Sequence, residues 1–178
     1  MEKIPPEKCW AITAKSLLAF TILRGDKVIA PELGRGKDII SPLLAKEKWE
    51  EINDKVYGKG GRMMYPWIKE MFNIPVEDAI GAAKLSVLVA DLAMGPEWEW
   101  EYVEKSPERV KYRANRCPWW ERYQEHEVRW EYQACHAGDL RWCSSGLKAI
   151  NPKLTYKITK ARPWGDPYCE FVIEFKEE

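Results

Sequence analysis

Thiol, carboxylate and imidazole groups are concentrated towards the end of the chain. Four of the five cysteines and both histidines lie between Cys117 and Cys169. Cys135, Asp139 and Cys143 follow one another at intervals of four residues, a spacing that puts all three on one face of a helix. A thiol one turn from a carboxylate suits a nucleophile with its acid–base partner, or two ligands of one metal ion. The alternative is two packed cysteines and a solvated aspartate.

Cys117 and Cys169 occupy two different environments in the predicted secondary structure. Cys117 comes directly before Pro118, the predicted start of a helix, where unpaired amides and the positive end of the helix dipole favour a thiolate. The alternative is a cysteine that caps the helix or packs in the core. Arg116 beside it acts in the same direction if it points inward. Cys169 shares the apolar face of the last predicted strand with Phe171. That face favours packing, while its position beneath the helix that bears Cys135 makes it a candidate substrate contact.

Three short motifs resemble those of the L-2-amino-thiazoline-4-carboxylic acid hydrolase-like family. That family carries an Arg-Cys-Pro segment, a helix with Cys and Asp four residues apart, and a terminal hairpin ending in Gly-x-x-x-Cys-x-Phe. The corresponding residues here are Arg116-Cys117-Pro118, Cys135 with Asp139, and Gly165 to Phe171. The resemblance covers less than half of the chain and implies a hydrolase that opens a small cyclic C–N compound, with a thiazoline ring as the named case.

The resemblance also implies roles for individual residues. Either Cys117 or Cys135 is then the nucleophile, and Asp139 is the acid–base residue. Arg116 is then a possible anchor for a carboxylate. The other candidate substrate-binding residues, chosen from their positions in the sequence, are Trp119, Trp120, His136 and Cys169. The alternative function is a non-catalytic ligand-binding protein or accessory subunit, whose tryptophan-lined pocket takes a planar or apolar molecule. Whether the chain is an enzyme is left open by its residues.

No cofactor is predicted. The paired, closely spaced ligands of a structural zinc site are missing, and Trp130 stands where a zinc-protease helix beginning at His126 would have its second histidine. A metal site built from Cys, His and Asp side chains stays open as an alternative.

Composition and charge limit the partners. Lys+Arg and Asp+Glu are balanced at 28 each, so no nucleic-acid partner is expected. The most apolar stretch, residues 79–95, contains Lys84 and Asp91 and is shorter than the ~20 residues of a membrane span. We therefore expect a small-molecule ligand or substrate and no membrane insertion. A homo-oligomer and a place in a larger enzyme both remain open.

The cysteines and the N-terminal sequence favour a cytoplasmic protein. The start of the chain lacks the basic residues, apolar run and cleavage site of a signal peptide. The five cysteines are an odd number without a Cys-x-x-Cys pair, which is typical of reduced thiols rather than of a disulfide framework.

Hydrophobic periodicity predicts a single α+β domain over residues 1–178, with a mainly helical part at 1–95. Helices are predicted at 5–23, 41–57, 65–72 and 76–94, and the glycines at 58–61 are interpreted as a loop. In residues 96–178 the pattern predicts a hairpin over 98–114, helices at 118–125 and 128–146, and a second hairpin with strands at 154–158 and 168–175. The two hairpins should form one antiparallel sheet packed against helices.

Overall fold

The computed structural model describes residues 54–125 and 139–176. Numbered within these residues, the helices are α1 (Lys59–Met71), α2 (Ala79–Met94), α3 (Pro118–Glu125) and α4 (Asp139–Ile150). The strands are β1 (Glu99–Lys105), β2 (Arg109–Arg116), β3 (Leu154–Lys160) and β4 (Cys169–Phe175). A π-helical turn, Asp54–Gly58, precedes α1, and a 3₁₀ turn, Arg162–Trp164, follows β3. The helices predicted at 5–23 and 41–57 lie outside the described residues, except that positions 54–57 belong to the π-helical turn.

The four strands form one antiparallel sheet in the order β1-β2-β4-β3. Both predicted hairpins are confirmed, as β1 with β2 and β3 with β4. They join through β2 and β4, where Tyr112 pairs with Phe171 and Ala114 with Cys169. Helices α2 and α4 pack against this sheet, and α1 packs against α4. The predicted α+β fold is therefore confirmed, and no helix in the described part of the chain is long and apolar enough to cross a membrane.

The two faces of the sheet differ in chemistry. The face against the helices carries the aromatic and aliphatic core. The other face carries ion pairs, in which Arg113 lies 3.8 Å from Glu101 and 3.5 Å from Glu170. Lys111 lies 3.7 Å from Glu170, and Glu170 is only 5% exposed. Basic side chains of β2 thus face glutamates of both neighbouring strands, an arrangement that favours strand pairing.

Helix α2 is the buried core helix that its apolar sequence predicts, since ten of its residues are buried. The sequence pattern placed its start near residue 76, but the helix begins at Ala79. Asp78 is in an extended conformation, and its Oδ1 accepts a hydrogen bond of 2.8 Å from the amide of Gly81. That bond satisfies one of the free amides at the helix start, so Asp78 fixes the boundary.

Replacing Asp78 by alanine should lower the free energy of unfolding by about 1 kcal/mol, because the cap to Gly81 is lost. Urea unfolding of D78A against the wild type measures the change. D78N keeps a capping oxygen and should stay close to the wild type. Equal losses in D78A and D78N would show that the carboxylate acts in some way other than capping.

The interpretation of the glycines at 58–61 as a loop is wrong. Gly60 and Gly61 lie inside α1, where α4 crosses it. A Cβ atom on Gly61 would lie 2.1 Å from the backbone oxygen of Trp142, and one on Gly60 would lie 2.4 Å from the Trp142 ring. In return, a Cβ on Gly146 of α4 would lie 2.2 Å from the Tyr65 ring. Glycine is therefore required at these positions for the close approach of the two helices. The sequence pattern predicted the end of α4 at Gly146, but this glycine is a packing contact with Tyr65, and the helix continues to Ile150.

Candidate functional site

A group of polar side chains lies between the helices and the sheet, inside an otherwise apolar core. We call it the Asp139 cluster, and it consists of Tyr65, Tyr112, Asp139, Cys143 and Tyr156. Helix α4 supplies Asp139 and Cys143, one turn apart, as the four-residue spacing predicts. Strands β2 and β3 and helix α1 each supply one tyrosine.

Hydrogen bonds connect the members of the cluster. The hydroxyl of Tyr156 donates to Oδ2 of Asp139 at 3.4 Å, and the thiol of Cys143 donates to Oδ1 at 3.3 Å. The hydroxyl of Tyr65 donates to Oγ of Ser86 at 3.4 Å, and Cys143 raises the pKa of Tyr65, although less than burial does. Burial raises the pKa of the Tyr112 hydroxyl, and Tyr156 acts in the opposite direction. The carboxylate is thus held by neutral donors from two elements.

Burial controls the charges in the cluster. It raises the pKa of Asp139 to about 6, although the hydrogen bonds from Cys143 and Tyr156 act in the opposite direction. Part of the Asp139 residue remains exposed, so this burial concerns its carboxyl group, which is turned into the cluster. Burial also raises the pKa of the Cys143 thiol and of the Tyr156 hydroxyl well above their ordinary values. Near neutral pH, Asp139 is therefore the member of the cluster whose charge changes.

Cys117 and Cys169 lie next to this cluster. Burial raises the pKa of both thiols, the negative charge of Asp139 raises it further, and Cys169 also raises the pKa of Cys117. Cys117, Cys143 and Cys169 are free thiols, each at most 8% exposed. The structure thus brings three cysteines and Asp139 into one region. The predicted site residues Cys135 and His136 lie outside the described residues.

Of the two alternatives for Cys117, the structure favours a packed, neutral thiol over a thiolate. The amides of Trp119 and Trp120 do lower the pKa of Cys117, as expected at the start of α3. Burial outweighs them, however, and raises the pKa to about 11. Cys117 is only 6% exposed, and its Sγ lies 4.0 Å from the sulfur of Met94. It is therefore a neutral thiol in an apolar environment.

Cys117 should react slowly with iodoacetamide. Its pKa is about 11 instead of the ordinary 9.0, which reduces the thiolate fraction about 100-fold near neutral pH. Labelling at pH 7.5, followed by peptide mass spectrometry, measures the rate, and the urea-unfolded chain serves as the control with ordinary reactivity. Labelling of native Cys117 as fast as in the unfolded chain would contradict the buried, neutral thiol.

Of the other predicted binding residues, Arg116 lies on the surface, and Trp119, Trp120 and Cys169 lie in or against the core. The Nε and Nη2 atoms of Arg116 donate to the carboxylate of Glu121 at 2.9 and 3.1 Å, on the exposed surface. Arg116 is thus engaged outside the core and does not point inward as the carboxylate-anchor role requires. Trp119 and Trp120 are half-buried and pack against the core. Cys169 is buried, and its sulfur accepts a hydrogen bond of 3.4 Å from the amide of Arg162.

The tyrosines of the cluster were not predicted from the sequence. Tyr112 and Tyr156 stand at inward positions of alternating strands, so the pattern could have suggested buried hydroxyl groups that need partners. Their convergence on Asp139 depends on the register of β2, β4 and β3, which no local pattern contains. Among the described residues, no group of three or more His, Cys, Asp or Glu side chains is placed to hold a metal ion. His126 lies outside the described residues.

The fold and the cluster define an α+β domain with a polar site buried between its helices and its sheet. No family model and no curated protein sequence matches the chain. Among solved structures, the crystal structure of the phenol-responsive sensory domain of the transcription activator PoxR with phenol aligns with a TM-score of 0.51 and 9% identity, over 92% of this chain and 73% of that chain. A trafficking protein particle complex subunit 3 from Naegleria fowleri, covalently bound to palmitic acid, aligns with a TM-score of 0.44 and 9% identity, over 96% of each chain. At this identity the likeness to the PoxR domain is one of fold.

Proposed function

We propose that the chain is a small-molecule-binding domain whose ligand is a small aromatic compound with a hydroxyl group. The observation that carries the proposal is the Asp139 cluster, a carboxylate and three tyrosine hydroxyls inside an apolar core. Buried polar groups are uncommon unless they are structurally paired or serve a ligand. The hydrogen bond from the Tyr156 hydroxyl to Asp139, at 3.4 Å, is longer than the usual optimum for an O–H donor.

The chemistry of the cluster matches a phenol-like hydroxyl group. The carboxylate of Asp139 can accept a hydrogen bond from the ligand, and the hydroxyl of Tyr156 can donate one to the ligand oxygen. Flat apolar walls lie close by, because Phe171 stacks with Tyr156 at 5.9 Å and packs with Tyr112 at 5.0 Å between ring centroids. Such walls favour a planar ring.

The fold likeness adds support, since the PoxR sensory domain is described as phenol-responsive and was solved with phenol. A binding role also suits the thiols, since a ligand-binding site needs no thiolate. The free cysteines Cys117, Cys143 and Cys169 support a reducing, cytoplasmic location as part of the proposal.

Calorimetric titration of the full chain with phenol tests the proposal. We expect saturable binding by the wild type, and binding about tenfold weaker in D139N and in Y156F, because each variant removes one hydrogen bond to the ligand. E121Q, at an exposed carboxylate, and Y168F, at a tyrosine stacked on Arg113, are the matched controls and should bind as the wild type does. Absence of binding by the wild type, or equal binding by D139N, would contradict the proposal.

A hydrolase is the second candidate function, and the pKa of Asp139 favours it. A carboxyl with a pKa of about 6 is suited to proton transfer near neutral pH. In this reading Asp139 protonates the leaving nitrogen of a thiazoline-type ring, and an activated water or one of the cysteines attacks the carbon between nitrogen and sulfur. Cys117 is less suited to that attack, because its thiol is neutral.

Incubation of the full chain with L-2-amino-thiazoline-4-carboxylic acid tests the second candidate. The wild type should consume the compound faster than buffer alone, and D139N should lose nearly all of that rate, while E121Q retains it. Consumption no faster than in buffer would reject the hydrolase. Because the readout is turnover, this result is independent of phenol binding.

A further inference from the structure

Helix α1 carries a stripe of apolar side chains on its surface. Met63, Trp67 and Met71 follow one another at intervals of four residues, so they lie along one side of the helix. Met63 is 58% exposed, Trp67 44% and Met71 45%. The other side of the helix is buried against α4 at Gly61 and Tyr65. Single exposed apolar residues are common, whereas contiguous apolar patches mark interaction sites.

Charged side chains of opposite sign lie at the two ends of the stripe. Lys59 and Arg62 are at the start of α1 and Glu70 is near its end, and all three are exposed. Within the described part of the chain, none of the three takes part in an ion pair. Lys69 is half-buried and points about 100° away from Glu70 around the helix. Glu70 lies one turn from Trp67 and would be repelled by an anionic lipid surface, so the stripe favours a protein partner with the reverse order of charges.

The α1 helix of a second copy of this chain has that reverse order when it lies antiparallel to the first. In such a pair, residues equally far from the two-fold axis in opposite directions lie level with one another. With the axis near the midpoint of α1, Lys59 lies level with Glu70 of the second copy, and Arg62 with Trp67 of the second copy. The first contact is an ion pair and the second places a guanidinium on an indole ring. The symmetry makes each contact twice.

We propose that the chain forms a symmetric homodimer through α1, with the two copies of the helix antiparallel. The helix has 13 residues and is about 20 Å long, so the interface is smaller than the roughly 1,600 Å² of a standard stable complex. We therefore expect a reversible dimer whose dissociation constant is on the order of micromolar. The dimer does not depend on the proposed ligand.

Sedimentation velocity of the full chain, at concentrations from about 1 to about 200 µM, tests the proposal. The wild type should change from monomer to dimer over this range. W67A should weaken the dimer about tenfold or more, because a tryptophan near the centre of an interface carries much of the binding energy. W164A is the matched control, since Trp164 is also exposed but lies outside α1, and it should dimerise as the wild type does.

Exchange of charges tests the antiparallel arrangement. K59E and E70K each place like charges opposite one another at two points, so each should weaken the dimer about tenfold. The double variant K59E/E70K restores opposite charges and should dimerise as the wild type does. A mixture of the two single variants should form a heterodimer for the same reason. K84E, at an exposed lysine of α2, should leave the dimer unchanged.

Each contrary result rejects a definite part of the proposal. A monomer at every concentration would overturn the dimer. Equal dissociation constants for W67A and W164A would place the interface outside α1 and overturn its role. Failure of both the double variant and the mixture to recover dimerisation would overturn the antiparallel arrangement. All of the substituted side chains are exposed, so the variants should stay folded, and circular dichroism checks this.

Discussion

Replacing Gly61 by alanine is expected to lower the free energy of unfolding by about 3 kcal/mol or more. The added Cβ would lie 2.1 Å from the carbonyl oxygen and 2.9 Å from the carbonyl carbon of Trp142. Both are backbone atoms, so no side-chain rotation can relieve the overlap. Helices α1 and α4 would have to move apart, and that movement would disturb the contact of Tyr65 with Gly146 and the cluster that Tyr65 joins.

Gly58 provides the matched control for Gly61. Its backbone angles are helical (φ −64°, ψ −43°), and a Cβ there would lie 3.4 Å from its nearest neighbours, the Arg62 and Ser145 side chains. G58A should therefore be neutral or slightly more stable, since alanine restricts the unfolded chain. Urea unfolding of both variants by circular dichroism measures the difference. If G61A were as stable as G58A, glycine at 61 would not be needed for the helix crossing.

The strands could be predicted from the sequence because their signal is local. Trp98, Trp100 and Tyr102 alternate with glutamates in the same few residues that form β1, and a turn separates them from the alternation of β2. Residues that repeat every second position assign one face to the core without reference to the rest of the chain. Prediction of Pro118–Glu125 as α3 succeeded in the same way, because proline fixes the start of that helix.

The glycines of α1 show where local reasoning fails. Helix propensity ranks glycine near the bottom, so Gly60 and Gly61 were interpreted as a break. Their helical conformation depends on Trp142, which lies far along the chain and comes close only in the folded protein. Only the tertiary contact shows that the missing side chain is the requirement.

For the candidate site, too, local features could be predicted from the sequence and features that depend on packing could not. The spacing of Asp139 and Cys143 predicted that the two would meet on one helix face, and they do. The sequence left the charge state of Cys117 open, because it shows the helix start but not how deeply the thiol is buried. Desolvation competes with the helix amides for the pKa of a thiol, and its size is a property of the packed core.

The contribution of Asp139 to the free energy of unfolding should fall as the pH rises from about 4 to about 6. The ordinary pKa of 3.8 applies to the unfolded chain, and burial raises the pKa to about 6 in the folded protein. The folded state therefore holds the proton more tightly. Stability is complete below the lower value and is lost as the pH rises through the upper one. The difference corresponds to as much as about 3 kcal/mol.

D139N isolates this effect, because asparagine has a similar shape and does not titrate. The free energy of unfolding of D139N minus that of the wild type should rise by up to about 3 kcal/mol between pH 4 and pH 7. E121Q should change in the opposite sense, since the hydrogen bond from Arg116 lowers the pKa of Glu121. A difference that does not depend on pH would show that the Asp139 carboxyl is solvated in the folded protein.

Tyr156 adds a second test of the same carboxyl. Its hydroxyl donates to Asp139 and lowers the pKa of that residue. Y156F removes the donor and leaves the surrounding apolar groups in place, so the pKa of Asp139 should rise further. The decrease in the free energy of unfolding should then extend to higher pH than in the wild type. In the double variant D139N/Y156F, the decrease caused by Asp139 should be absent. Carbon-detected NMR titration of the Asp139 carboxyl would measure the shift directly. A lower pKa in Y156F would mean that water enters in place of the hydroxyl, and a cluster that admits water so readily would bind an uncharged phenol weakly.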